Sequence, residues 1–364
     1  MADGLTAHQN RFRHRWTHGE TIPQAMARPH DNFGLLRLLL SLAVVVSHAF
    51  SVSSGRVEDE PLARLTGFTL GEHAVNGFFA ISGFLVTMSY DKRGWRDYIL
   101  ARTLRIVPGL VAAVVVVAIG FGLAFTTFAA QGYLTDARLG RFIFATLTSF
   151  KSNIALPGVF ASNPFTFPMG TVWTLKYEVI CYCGVLALGF AGLFRHPRLL
   201  LGIAVAMAIA VLLREIVAPH GAKGVETALR LPLIFFCGGL AWLWREKLHL
   251  SLAGILLAVA LLALALPTLL FKPVLYLATV YLMLALALVP QLITARTEPP
   301  GDVSYGVYLY GWPVQQALVV MFPMAGAWTL LGPALFFTVL LAISSWICVE
   351  KPALALKRRI LRAK

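Results

Sequence analysis

The chain has 364 residues, of which 58% are hydrophobic and only 13% charged, with a mean hydropathy of +0.74. Soluble globular domains run nearer ~45–50% apolar, so this composition excludes a soluble globule and points to an all-α polytopic membrane bundle whose membrane body carries the function. The formal charge of +14 does not indicate a nucleic-acid partner, because Lys and Arg sit between apolar runs and toward both ends, as the positive-inside rule requires of cytoplasmic segments.

In chain order, Arg11, Arg13, Arg15 and Arg28 precede an apolar run too long for the core of a cleavable signal. Transmembrane spans are predicted near residues 33–51, 74–90, 107–128, 171–193, 199–217, 228–244, 249–270, 273–292, 303–324 and 327–349, about ten in all. The organisation expected is a basic cytoplasmic tail over 1–30, a membrane domain over 31–352 and a basic cytoplasmic tail over 353–364. The loop Lys92–Arg105, the Arg195–Arg198 and Arg245–Lys247 turns and the Lys357–Lys364 tail read as cytoplasmic, and Glu58-Asp59-Glu60 as extracytoplasmic. Residues 129–170 are broken by Lys151, Asn153, Pro157, Pro164 and Pro168. A complete span there would invert every later basic loop, so the segment reads as an outer loop or re-entrant element. No internal repeat is visible.

The chemistry-bearing residues fall inside these runs. Arg37, Ser41 and His48 lie on one helical stripe, since eleven steps of roughly 100° return almost to the starting azimuth and separate Arg37 from His48 by about 16 Å along the axis. Ionisable groups inside a span are expensive and usually face a cavity. Glu178 follows Trp173 about two turns inside its span; Lys176, two residues away, does not share its face, so a partner on another helix is expected, with His48 the preferred one. A carboxylate beside that imidazole would hold its tautomer and stabilise the imidazolium formed on proton abstraction. Arg102 and Arg105, three apart at the mouth of the third span, share a face and suit a polyanion, although topology alone also accounts for basic residues there. His73 and Asn76 begin the second span, whose small residues suit close helix packing; both are candidates to line an acceptor site. Cys181, Cys183, Cys237 and Cys348 lie in apolar runs without metal-ligand spacing. No G-x-S-x-G elbow, P-loop, H-E-x-x-H or dinucleotide fingerprint occurs.

Taken together, Asn32-Phe33 leading to Arg37 and His48, Val75-Asn76-Gly77-Phe78-Phe79-Ala80-Ile81-Ser82-Gly83, Arg102-x-x-Arg105-Ile-x-Pro108, Trp173-Thr-Leu-x-Tyr-Glu178, Ser304-Tyr-Gly-Val-Tyr308 and Glu350-Lys-Pro352 resemble the acyltransferase 3 family of bacterial integral-membrane polysaccharide O-acyltransferases, over about residues 31–352. The resemblance implies a catalytic role for His48, an ion-pair or orienting role for Arg37, donor binding by Arg102 and Arg105, and the family's conserved acid at Glu178; Trp173 joins His73 and Asn76 as an acceptor-side candidate. Gly34 stands where relatives often carry Asp, and Met169-Gly-Thr171 replaces a more polar turn. The activity implied is transfer of an acyl group, acetyl from acetyl-CoA, to a sugar hydroxyl of an exopolysaccharide, O-antigen or lipid-linked precursor in the bacterial inner membrane. Acyl-CoA is the donor substrate, no cofactor or metal is bound, and membrane lipid is the remaining partner. A secondary transporter is the alternative from another class, since buried ionisable groups and ten spans suit it equally.

The topology is directly testable. A cysteine at Ser162 should react with a membrane-impermeant maleimide from outside intact spheroplasts, whereas labelling only after permeabilisation would place residues 129–170 on the cytoplasmic side.

Overall fold

The computed structural model describes residues 19–218, 221–288 and 301–362. Arg11, Arg13 and Arg15 of the expected tail, residues 289–292 of the eighth expected span and the terminal Lys364 lie outside them. Within the described residues the principal helices are α1 (Phe33–Ser54), α2 (Leu70–Val115), α3 (Ala137–Ser149), α4 (Trp173–Phe190), α5 (Pro197–Val217), α6 (Lys223–Leu243), α7 (Leu252–Ala265), α8 (Phe271–Leu288), α9 (Ser304–Met321), α10 (Ala327–Ser345) and α11 (Lys351–Arg362). Among the described residues, six stretches are long and apolar enough to cross a membrane: Phe33–Ser54, Leu70–Phe125, Pro197–Val217, Lys223–Leu243, Phe271–Leu288 and Ala327–Lys357.

Each expected span overlaps a helix in its described part, but not with the expected bounds: the one over 249–270 opens on the His249–Leu250 strand and is helical only over Leu252–Ala265. The second and third share α2, which Gly94 breaks at φ 77° and ψ 175°, a conformation that disfavours any residue with a Cβ. Beyond α2 the chain runs through a π-helical segment, Val116–Phe121, to Phe125. There the Tyr133 hydroxyl donates to the Ala118 carbonyl at 2.5 Å, satisfying an acceptor at the widened turn. Between residues 129 and 170 the longest helix is α3, with 13 residues; none reaches crossing length. The expected tails are ordered where described. Glu20–Thr21 pairs antiparallel with His249–Leu250 and leads into a short helix with Ile22 buried. Residues 353–362 continue α11, where Lys357 pairs with Asp97 at 2.9 Å. Ala and Leu, strong helix formers with no breaker after Pro352, account for that continuation.

By internal packing the chain divides into two units, each discontinuous in sequence. The first takes the described residues of Met1–Leu36, Asn76–Gly94 and Ile180–Pro299; the second takes those of Arg37–Val75, Trp95–Val179 and Pro300–Lys364.

In the first unit, α2 and α6 meet through small residues. A Cβ added at Gly83 would strike the Phe235 carbonyl, and one at Gly238 would strike the Ala80 carbonyl. This is the close approach that small residues permit between membrane helices, where lipid is as apolar as any side chain and packing must supply the attraction. The same unit buries an ionic network. Arg230, 1% exposed, contacts Glu226 one turn away at 3.2 Å and donates to the Asn76 amide oxygen at 3.2 Å. Tyr276 donates to Glu226 at 2.6 Å, while Glu215 pairs with Lys272 at 2.7 Å and with Arg214.

In the second unit α9 is the core. Its residues are continuously buried from Gly306 to Val319, and Gly306 lets it lie directly against Ala342 of α10. A helix hydrophobic all round but carrying Tyr308, Trp312, Gln315 and Gln316 must satisfy those polar groups within the protein.

The Gly83 contact gives a packing prediction. Gly83→Ala places a methyl group against a backbone carbonyl that has no rotamer to yield, an overpacking cost of ~1–3 kcal/mol. At about 2–4 °C per kcal/mol, the detergent melting temperature should fall by several degrees. Gly184→Ala, with open space around its Cβ position, should leave it unchanged or raised. Equal melting of both variants would refute close α2–α6 packing at Gly83.

Candidate functional site

The ionisable residues read from the sequence converge in the second unit. Arg37 lies one turn into α1. Arg105 lies on α2 beyond the Gly94 break, and Asp302 immediately precedes α9. One carboxylate oxygen of Asp302, Oδ2, accepts from Arg37 Nη1 at 2.9 Å and from Arg105 Nη2 at 2.7 Å. The other, Oδ1, accepts from the Ser304 backbone N–H at 3.2 Å and from the Ser304 hydroxyl. Burial pushes the Asp302 carboxyl up, but Arg105, Arg37 and the Ser304 donors outweigh it and hold it well below the usual carboxylate range. Arg105 also lies over the Tyr305 ring, 5.7 Å from its centroid, and the Tyr305 hydroxyl donates to the Ile106 carbonyl at 3.0 Å. Glu350, 2% exposed, is within electrostatic reach of Arg105 and accepts from the Ser345 hydroxyl at 3.1 Å. Arg102 is half-buried, one turn before Arg105.

Three turns along α1 from Arg37 is His48. Its imidazole meets Trp312 edge to face, with centroids 5.0 Å apart and planes at 82°. Trp312 Nε1 donates to the Phe167 carbonyl at 2.9 Å, and the Trp312 ring stacks on Phe167 at 5.3 Å and packs on Phe165 at 5.6 Å. Gln315 Nε2 donates to the Val45 carbonyl at 2.6 Å, joining α9 to α1 one turn before His48. Gln316 donates to the Phe165 carbonyl at 2.7 Å, and Asn163 donates to the Gln316 side-chain oxygen at 2.6 Å. The irregular segment before α4 is thereby riveted to α9, and it brings aromatic rings beside the histidine.

Glu178 and Trp173 occupy the first turns of α4. The Thr171 hydroxyl donates to the Tyr308 carbonyl at 3.0 Å, the Tyr308 hydroxyl donates to the Thr171 carbonyl at 2.9 Å, and that hydroxyl also lies 2.5 Å from Thr174 Oγ1. Trp173 is half-buried and packs edge to face on Tyr177 at 6.0 Å.

The structure thus brings Arg37 and Arg105 together through a carboxylate, and Arg37 shares its helix with His48. It does not pair His48 with Glu178. Among the described residues the imidazole makes no hydrogen bond or ion pair; its ring contact is with Trp312. Of the acceptor-side candidates, His73 Nε2 lies 2.9 Å from Thr66 Oγ1 and holds the preceding loop. Asn76 belongs to the first unit, where Arg230 holds its amide. Sequence reasoning missed Asp302, Glu350 and Trp312 as neighbours of the expected residues, and also the Glu226–Arg230 pair. That pair carried a signal, opposite charges four apart at the start of an apolar run. Asp302 carried none, because 265 residues separate it from Arg37.

Residues 30–349 match the acyltransferase 3 family, described as an acyltransferase domain. An "O-acetyl transferase" of Shigella phage Sf6 is 28% identical over 333 residues, covering 88% of this chain and 94% of that protein. "Nodulation protein 10" of Rhizobium leguminosarum bv. viciae is 28% identical over 360 residues, covering 90% and 94% respectively. No solved structure matches the chain. With the family matched across nearly all of the membrane domain, the chain belongs to the acyltransferase 3 family and is an acyltransferase.

Proposed function

We propose that the protein is a bacterial plasma-membrane O-acyltransferase that moves acetyl from acetyl-CoA to a hydroxyl of an exopolysaccharide, O-antigen or lipid-linked precursor. The observation that carries this reading is the placement of two arginines and a histidine on one framework. Asp302 binds both Arg37 and Arg105, and Arg37 and His48 share one face of α1, about 16 Å apart. Phosphates held at the Arg102–Arg105 end leave a depth comparable with an extended pantetheine arm before the thioester meets the imidazole. The phage relative's name supports acetyl as the group moved.

In this mechanism Arg102 and Arg105 grip the nucleotide phosphates of the donor by charge-assisted hydrogen bonds. His48 accepts the proton of the sugar hydroxyl as its oxygen attacks the thioester carbonyl. A carbon–oxygen bond to the sugar forms, the carbon–sulfur bond breaks, and coenzyme A leaves as the thiol once the proton reaches its sulfur. Aromatic rings at Phe165 and Phe167, beside Trp312, offer apolar faces to the sugar ring. Glu178, which does not pair with His48, acts on the acceptor side.

Two experiments test this. Arg102→Ala or Arg105→Ala should raise the KM for acetyl-CoA more than that for the acceptor, each deleting a charged contact worth ~1.5–3 kcal/mol, and Lys at either site should restore part of the loss as a point charge without the guanidinium fork. Unchanged donor dependence in correctly inserted protein would return both arginines to a purely topological role.

His48→Ala should abolish transfer while insertion survives, since losing general-base catalysis costs ~10²–10⁴-fold. Glu178→Gln should be impaired less. Because the two side chains are not paired, their losses should multiply in the double variant; a double variant no worse than His48→Ala would mean that Glu178 works through His48 after all. Full acetylation by His48→Ala would end the proposal that this membrane body is the catalyst.

A further inference from the structure

Asp302 poses a problem of charge. A cleft that is to hold the phosphates of acyl-CoA gains attraction from every cation and loses it with every anion, yet the best-bonded group beside Arg105 is a carboxylate. The hydrogen bonds resolve this. Oδ2 takes one N–H from Arg37 and one from Arg105, so the two donor nitrogens are no further apart than those two bonds combined. Two guanidinium groups at that separation repel unless an anion lies between them. Oδ1 is fixed from the other side by the Ser304 N–H and hydroxyl, and the next residue, Tyr305, presents its ring to the Arg105 guanidinium while anchoring its own hydroxyl on Ile106. Asp302, Ser304 and Tyr305 are thus one short stretch at the head of α9 that constrains Arg105 along an edge and across a face.

We propose that Asp302 is a positioning residue of the donor site: it locks the Arg105 guanidinium against Arg37, fixing in advance the fork that receives a donor phosphate. The inference rests on the reading of Arg105 as a donor-binding residue. Because a guanidinium is planar and rigid, fixing one arm orients the others, so a ligand loses less of the arginine's rotational freedom on binding. The proposal assigns a task to the Asp302–Tyr305 stretch and predicts the sign of an effect that charge alone would reverse. Removing an anion from a polyanion site should tighten binding by electrostatics; it should weaken binding if the anion is what aims the arginine.

The test is the affinity of the full-length protein in detergent for coenzyme A, at fixed ionic strength, with wild type, Arg105→Ala, Asp302→Asn, Ser304→Ala and the Arg105→Ala/Asp302→Asn double variant. Asp302→Asn should weaken coenzyme A binding by about tenfold or more, in spite of the negative charge it removes. Ser304→Ala, which leaves every formal charge in place and burdens folding least, should weaken it by a smaller factor in the same direction. The double variant should bind no more weakly than Arg105→Ala, since Asp302 then has no fork to aim. A merely structural salt bridge would lower stability without this dependence on Arg105. Tighter or unchanged binding by Asp302→Asn and Ser304→Ala, alongside a loss in Arg105→Ala, would overturn the positioning role and leave the donor site standing. Unchanged binding by Arg105→Ala would overturn the donor-site reading itself, and the inference with it.

Discussion

The second unit depends on one constraint: a charge inside an apolar bundle must be answered by another charge or by several hydrogen bonds. Arg37 and Arg105 lie near the start of α1 and in the latter half of α2, elements far apart in sequence, and neither could be buried beside the other unaided. The Asp302 carboxylate answers both, and in doing so fixes where the head of α9 must sit. Its charge, maintained by two guanidinium groups and the Ser304 donors against the cost of burial, anchors the core helix at one end.

From that anchor α9 runs through the unit as a buried rod held by polar rivets. Gln315 reaches the α1 backbone, Gln316 and Trp312 reach the backbone of the segment before α4, and Tyr308 exchanges hydrogen bonds with Thr171. Membrane helices gain little from excluding water, so such bonds and close backbone approaches carry specificity that a soluble core would draw from apolar burial. The consequence for function is positional. The same bonds that satisfy the α9 side chains also set Trp312 against His48 and bring Phe165 and Phe167 to that end of the helix. A histidine held by shape on a rigid helix keeps its orientation without a hydrogen-bond partner.

The contrast with what the sequence made legible follows from the range of each signal. Apolar run length located the helices, and the helical period put Arg37 and His48 on one stripe, because both signals are local and regular. The break at Gly94 and the absence of a crossing helix between residues 129 and 170 also follow from local chemistry, one from a positive φ that favours glycine, the other from interrupting prolines and polar residues. Asp302 was invisible because its significance depends on Arg37, 265 residues away. The pairing of His48 with Glu178 is expected on chemical grounds alone, and the structure instead sets the imidazole against Trp312, on a helix that only the tertiary fold brings there. The order in residues 19–30 and 353–362 shows the same limit from the other side: a basic composition says nothing of packing, while Ile22 and the Ala-Leu repeat after Pro352 decide whether the segment packs or continues as helix.

An imidazole with an aromatic neighbour and no carboxylate partner constrains the order of chemical events under the proposed reaction. In a carboxylate–histidine arrangement the imidazolium formed by proton abstraction is stabilised by a fixed counter-charge and can persist. Among the described residues no such charge is bonded to the His48 ring, so the proton taken from the sugar hydroxyl must move on as the thioester opens, and the group able to receive it is the departing coenzyme A thiolate. That requires donor and acceptor to be bound together, with the sulfur and the hydroxyl both within reach of one ring. A donor held by its phosphates three helical turns away, on arginines cross-linked to the same helix, is compatible with that demand, because it fixes the far end of a long substrate at a distance from the histidine.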